Sequence, residues 1–110
     1  MVILIVDDDN NIRKAVSRVC EHEGFEVVLA EDANQAIKIL QQNQVDILMT
    51  DNDMPGQKGV ELIRTVQPQL PKLKIILMSG NCPDRIPYGV VFLSKPFNAD
   101  DIINTIKETQ

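Results

Sequence analysis

Carboxylates stand in groups directly after short apolar runs of this chain. Asp7-Asp8-Asp9 follows Val2–Val6, and Asp51-Asn52-Asp53 follows Ile47–Thr50. Two later runs end in Ser79-Gly80 and in Ser94-Lys95-Pro96. A single Asp after a strand is most often a turn or capping residue, but the joint pattern asks for more. Two carboxylates about 4 Å apart repel by roughly 4 kcal/mol at an effective dielectric near 20, so a cluster of them needs a cation. Lys95 brings one positive charge, and a divalent metal brings two. Carboxylate and carbonyl oxygens are hard donors of the kind Mg²⁺ prefers. A carboxylate, a metal, a lysine and a hydroxyl around one cavity fit phosphoryl transfer. The carboxylate attacks in line, the cations neutralise the transferring oxygens and the hydroxyl orients one of them.

For these residues to meet, the runs that carry them must lie side by side. Val2–Val6, Glu26–Ala30, Ile47–Thr50, Lys74–Met78 and Val90–Leu93 are short and rich in Val, Ile and Leu, as strands are. Three of them are apolar on both faces, which suits a parallel sheet covered by helices on each side. Helical periodicity fills the intervals: Ile12, Ala15, Val16, Val19 and Cys20; Ala33, Ala36, Ile37 and Leu40; Val60, Leu62, Ile63 and Val66; Ala99, Ile102, Ile103 and Ile106. Asp32 and Asn98 stand at N-cap positions, Gly24 closes the first helix and Gly59 opens the third. The expected fold is an open α/β sheet in which ligands sit beyond the carboxyl ends of the strands. Asn81–Gly89 contains Pro83 and Pro87, so the fourth crossover is expected to hold a short helix or none.

Composition narrows the function. The chain has 110 residues, the size of one domain spanning 1–110, with 44% hydrophobic and 25% charged residues. Its net charge of −5 and its lack of a Lys/Arg cluster argue against direct nucleic-acid binding. No apolar run approaches the roughly 18 residues of a membrane span, and MVILIV lacks the basic flank of a signal peptide, so the expected location is the cytoplasm. Cys20 and Cys82 form no C-x-x-C pair, which leaves neither a disulfide framework nor a zinc site.

At the strand ends the chain resembles the receiver domain of two-component response regulators. The residues that carry the likeness are Asp7-Asp8, Asp51-Asn52-Asp53-Met54-Pro55 through Gly59, Ser79, and Lys95-Pro96-Phe97. The resemblance implies a flavodoxin-like doubly wound five-stranded parallel sheet, order 2-1-3-4-5. It also implies a Mg²⁺-dependent transfer of phosphate to Asp51 from the phosphohistidine of a sensor histidine kinase or histidine phosphotransfer protein. Under it, Asp8 and Asp51 ligate Mg²⁺ directly, Asp7 through water and Asp53 through its backbone carbonyl. Ser79 and Lys95 contact the phosphoryl oxygens, and the domain acts as a signalling module catalysing only its own phosphorylation and dephosphorylation. Phe92 stands at the aromatic switch position, with core packing as its equally weighted alternative role. Asp9 reads as a turn or first-helix residue, His22 as a surface residue, and Met54 and Pro55 as loop-shaping residues.

The chain departs from the family pattern in several places. Lys95 follows Ser79 by 16 positions, fewer than is usual in the family, so the fourth helix is expected to be short or absent. That removes much of a common dimer face, and the unphosphorylated domain is expected to be a monomer. Lys58, Asn52 and Asp53 also differ from the commoner residue types. Two other readings compete. One is a receiver-like binding module that relays no phosphate. The other is a small phosphatase, because Asp51-x-Asp53 also resembles the nucleophile motif of haloacid-dehalogenase-like enzymes, which need further acidic and cap segments.

Overall fold

The computed structural model describes every residue, Met1–Gln110. Five strands, β1 (Val2–Val6), β2 (Glu26–Ala30), β3 (Ile47–Asp51), β4 (Lys74–Ser79) and β5 (Val90–Ser94), alternate with four helices: α1 (Asn10–His22), α2 (Ala33–Gln42), α3 (Gly59–Val66) and α4 (Ala99–Thr109). All pairs are parallel, and the sheet order is β2-β1-β3-β4-β5, as the resemblance implied.

Because side chains alternate along a strand, register decides what each face buries. Leu4, Leu48 and Ile75 are aligned partners on one face, packed with Ala36 and Leu40 of α2 and Leu62, Ile63 and Val66 of α3. Ile5, Met49 and Ile76 form the matching row on the other face, against Val16 and Cys20 of α1 and Ile102 and Ile106 of α4. The central strands β1, β3 and β4 are apolar on both sides for this reason, and each large side chain so buried contributes about 1.5–3 kcal/mol.

Helix starts follow local hydrogen bonding. Asp9, expected as a turn or first-helix residue, is the N-cap of α1, its carboxylate accepting from the Asn11 and Ile12 amides. Asp32 caps α2 through the Gln35 amide, and Asn98 and Asp101 form a reciprocal capping box on α4. Lys58 precedes α3 with no side-chain cap; instead Asn52 Oδ1 reaches across and accepts from the Val60 amide at 3.0 Å. That accounts for the polar residue at position 52.

Three strands run one residue beyond the apolar runs, taking in Asp51, Ser79 and Ser94, because backbone pairing continues regardless of side-chain polarity: Asp51 aligns with Met78, and Ser79 with Ser94. No helix lies between β4 and β5. That connection is tied down where the Gln67 side chain donates to the Tyr88 carbonyl at 2.7 Å. Its loss of helical cover leaves Val90 and Phe92 half-buried on the α2–α3 side of the sheet. Met54 is 6% exposed and belongs to the α2–α3 core, so burial anchors the loop that it was expected to shape.

Candidate functional site

The carboxyl ends of β1, β3, β4 and β5 bring Asp7, Asp8, Asp51, Ser79 and Lys95 to one rim. Asp7 continues the line of β1, its amide donating to the Ala30 carbonyl, and it is fully buried. Asp51 ends the central strand β3 and is 2% exposed, while Asp8 faces solvent. The carboxylate oxygens of Asp7, Asp8 and Asp51 lie within 4.8 Å of one another. Lys95, just past β5 and before a cis peptide bond to Pro96, spans the gap. Its Nζ donates to Asp51 Oδ1 at 3.0 Å and to Asp7 Oδ2 at 3.2 Å.

Burial pushes the Asp7 carboxyl above the usual carboxylate range, with the Asp9 amide and Lys95 offsetting only part of that effect. Asp51 is raised in the same way, and again Lys95 does not fully compensate. For Lys95, burial disfavours the ammonium, but Asp51 and Asp7 together outweigh burial and raise it. One ammonium therefore faces three acidic groups, two of them desolvated. This donor set, all hard carboxylate oxygens with a surplus of negative charge, fits a divalent cation.

The loop after β3 is held by its own backbone. The Asn52 amide donates to the Met78 carbonyl at 2.8 Å, and the Gly59 amide donates back to the Asn52 carbonyl at 3.2 Å. At Gly59 a Cβ would lie 2.9 Å from Asn52 Cα and closer still to the Asp51 carbonyl oxygen, so only glycine lets α3 start this near the site. Ser79 is fully buried and makes no hydrogen bond to Asp51. Its Oγ donates to Asp53 Oδ2 at 2.8 Å and accepts from the Asn81 amide at 3.2 Å. The Asp53 carboxylate thus engages the hydroxyl, a contact between residues 26 apart that local sequence does not reveal. Phe92 aligns with Leu77, half-buried against the α2–α3 core. His22 is exposed at the end of α1.

Sequence reasoning passed over Arg13. It is 7% exposed and donates to the Asp7 carbonyl at 2.6 Å and to Asn10 Oδ1 at 2.8 Å, behind the acidic turn. The signal that could have found it is a long cation inside the first turn of an otherwise apolar helix face.

Comparison with known proteins agrees with this geometry. The model of the response regulator receiver domain matches residues 3–107. The response regulator receiver protein CpdR of Brucella abortus is 32% identical over 96% of this chain and 93% of its own length. The DNA-binding transcriptional regulator NtrC of Proteus hauseri is 31% identical over 96% of this chain, which spans only 24% of NtrC. Among solved structures, the response regulator TrrA of Thermotoga maritima, crystallised in complex with Mg²⁺-BeF, superposes with a TM-score of 0.88 at 28% identity, covering 99% of this chain and 98% of TrrA. The chain belongs to the response regulator receiver domain family of two-component signalling. No helix is long and apolar enough to cross a membrane.

Proposed function

We propose that Asp51 is the phosphoacceptor of a receiver domain spanning residues 1–110, taking the phosphoryl group from the phosphohistidine of a histidine kinase or histidine phosphotransfer protein. The observation that carries this reading is the pairing of the buried Asp51 with Lys95 inside a cluster of three carboxylates. An Asp51 carboxylate oxygen attacks phosphorus, the phosphorus–nitrogen bond breaks, and the imidazole leaves with the electron pair and takes up a proton. Asp7 and Asp8, with Asp51, would hold Mg²⁺, together with the Asp53 carbonyl, which accepts no hydrogen bond from the rest of the chain. Bound there, Mg²⁺ would neutralise charge on the transferring oxygens. Lys95 swings its ammonium from the carboxylates to a phosphoryl oxygen. The Ser79 hydroxyl turns from Asp53 to another oxygen, giving up the bond it holds in the unphosphorylated domain, and Phe92 follows on β5. Water later attacks phosphorus, the bond to the Asp51 oxygen breaks, and inorganic phosphate leaves with the Asp51 carboxylate restored.

An apolar groove of about 400 Å³ along Ile12, Ala15, Val16, Pro96 and Phe97 borders Lys95 and offers a protein phosphodonor a seat. Incubation with acetyl phosphate and Mg²⁺ tests the reading by intact mass. Wild type should gain one phosphoryl group, and should gain none with chelator or in Asp51→Asn. Equal labelling of Asp51→Asn would overturn the assignment.

A further inference from the structure

We propose that Arg13 is a positioning residue for the acidic turn, fixing the direction in which Asp7 and Asp8 present their carboxylates; the inference rests on the metal-dependent reading above. Arg13 lies on α1 outside the carboxylate cluster, and its guanidinium is desolvated. A buried cation is retained only where its donors are satisfied, commonly by a buried acid. Here no buried acid serves. The nearest carboxylate, Glu31, stands 3.8 Å away with its side chain 66% exposed. The two hydrogen bonds instead go to opposite ends of one turn, Nη1 to the Asp7 carbonyl and Nη2 to Asn10 Oδ1.

The Asp7 carbonyl belongs to the peptide that joins Asp7 to Asp8. Clamping that peptide plane restricts ψ of Asp7 and φ of Asp8, and with the Asp7 amide already held by Ala30 this constrains where both side chains leave the backbone. The other ties hold different atoms: the Asp7 amide donates to the Ala30 carbonyl, the Asp9 amide and Lys95 Nζ donate to the Asp7 carboxylate at 2.9 and 3.2 Å, and Asp9 caps α1, so only Arg13 holds the carbonyl between Asp7 and Asp8. The guanidinium holds its two acceptors from two different nitrogens of a rigid planar fork, whereas a lysine would have to reach both from one nitrogen on a flexible stem. Groups that orient ligating carboxylates from behind typically change metal affinity by about 10–100-fold when removed.

The test compares wild type, Arg13→Lys and Glu31→Gln by titrating MgCl₂ with no phosphodonor present, following the backbone amide resonances of Asp8 and Asp9. Amide exchange of Asp9 is measured in the metal-free proteins. Arg13→Lys should need about tenfold more Mg²⁺ for half-saturation and should exchange faster at Asp9, whose amide is hydrogen-bonded to the Asp7 carboxylate, with little change in Tm. Glu31→Gln should match wild type. The proposal is overturned if folded Arg13→Lys keeps wild-type half-saturation and exchange, or if Glu31→Gln reproduces its loss. Should Arg13→Lys fail to fold, Asn10→Ala decides. It removes one acceptor of the clamp and should raise half-saturation by a smaller factor, and a wild-type value there refutes the clamp. A wild type that does not respond to Mg²⁺ would defeat the functional reading, and the exchange arm would then judge Arg13 alone.

Discussion

Replacing the acceptor with its neutral isostere should make the metal-free protein more stable. In Asp51→Asn the amide oxygen can still accept from Lys95 Nζ, now 3.0 Å away, while the new NH₂ faces the carboxylates of Asp7 and Asp8. The charge terms nearly cancel. Attraction to Lys95 at 3.0 Å is about 5.5 kcal/mol at an effective dielectric near 20. Repulsion from Asp7, within 4.8 Å, is at least about 3.5 kcal/mol on the same scale, and solvent-exposed Asp8 adds a smaller, screened contribution. What remains is the cost of desolvating the carboxylate, several kcal/mol for a buried ion. Making the Lys95 hydrogen bond neutral at one end gives back about 1–2 kcal/mol of that. The expected net gain is about 1–2 kcal/mol, or roughly 5–10 °C in Tm for a domain of this size.

The pH dependence carries its own sign. Burial raises Asp51 above its ordinary 3.8, so the native state binds the proton more tightly than the unfolded chain. The stability this confers is present below 3.8 and is lost as pH rises through the folded value. Wild type should therefore gain on Asp51→Asn as pH falls from 7 toward 3.8, and the gap between their melting curves should close. Added Mg²⁺ should raise the Tm of wild type more than that of the variant, since ligand binding stabilises only the state that binds it. Thermal scans in chelator across this pH range are the assay. An Asp51→Asn Tm at or below wild type at pH 7, or a gap that widens in acid, would refute the claim that burial dominates this site.

Two further outcomes follow from packing. Gly59→Ala should cost about 1–3 kcal/mol in urea unfolding and slow phosphoryl acceptance, because the added methyl collides with the backbone of Asp51 and Asn52; wild-type values for both would contradict the close approach. In the folded protein at neutral pH a thiol reagent should modify exposed Cys82 and spare Cys20, whose thiol is pushed up to about 11 by burial and by Glu21 and Glu23; peptide mapping that finds both cysteines equally modified would disprove it.

Periodicity made the fold legible because a strand buried on both faces and a helix buried on one leave different spacings of Val, Ile and Leu. The gathering of Asp7, Asp8, Asp51, Ser79 and Lys95 was legible because each ends an apolar run, and in a parallel sheet every such end lies on the same rim. The missing crossover helix was legible from Pro83 and Pro87. What sequence did not disclose was environment. Asp7 and Asp8 are the same residue type side by side, yet one is fully buried and the other exposed. The difference arises where the sheet stops: Asp7 still pairs through its amide with Ala30, whereas Asp8 stands in the bend beyond the strand. Asn52 looked out of place until its side chain proved to cap a helix eight residues on, and Asp53 meets Ser79 only because β3 and β4 are neighbours. Arg13 was the hardest to see, because one of its partners is a backbone carbonyl, and any residue could supply one. A side chain that recognises the path of the main chain leaves no complementary residue type in the sequence. That residues of this kind stand behind a site, orienting what reacts, is why a motif can name the reacting groups and still omit part of what aims them.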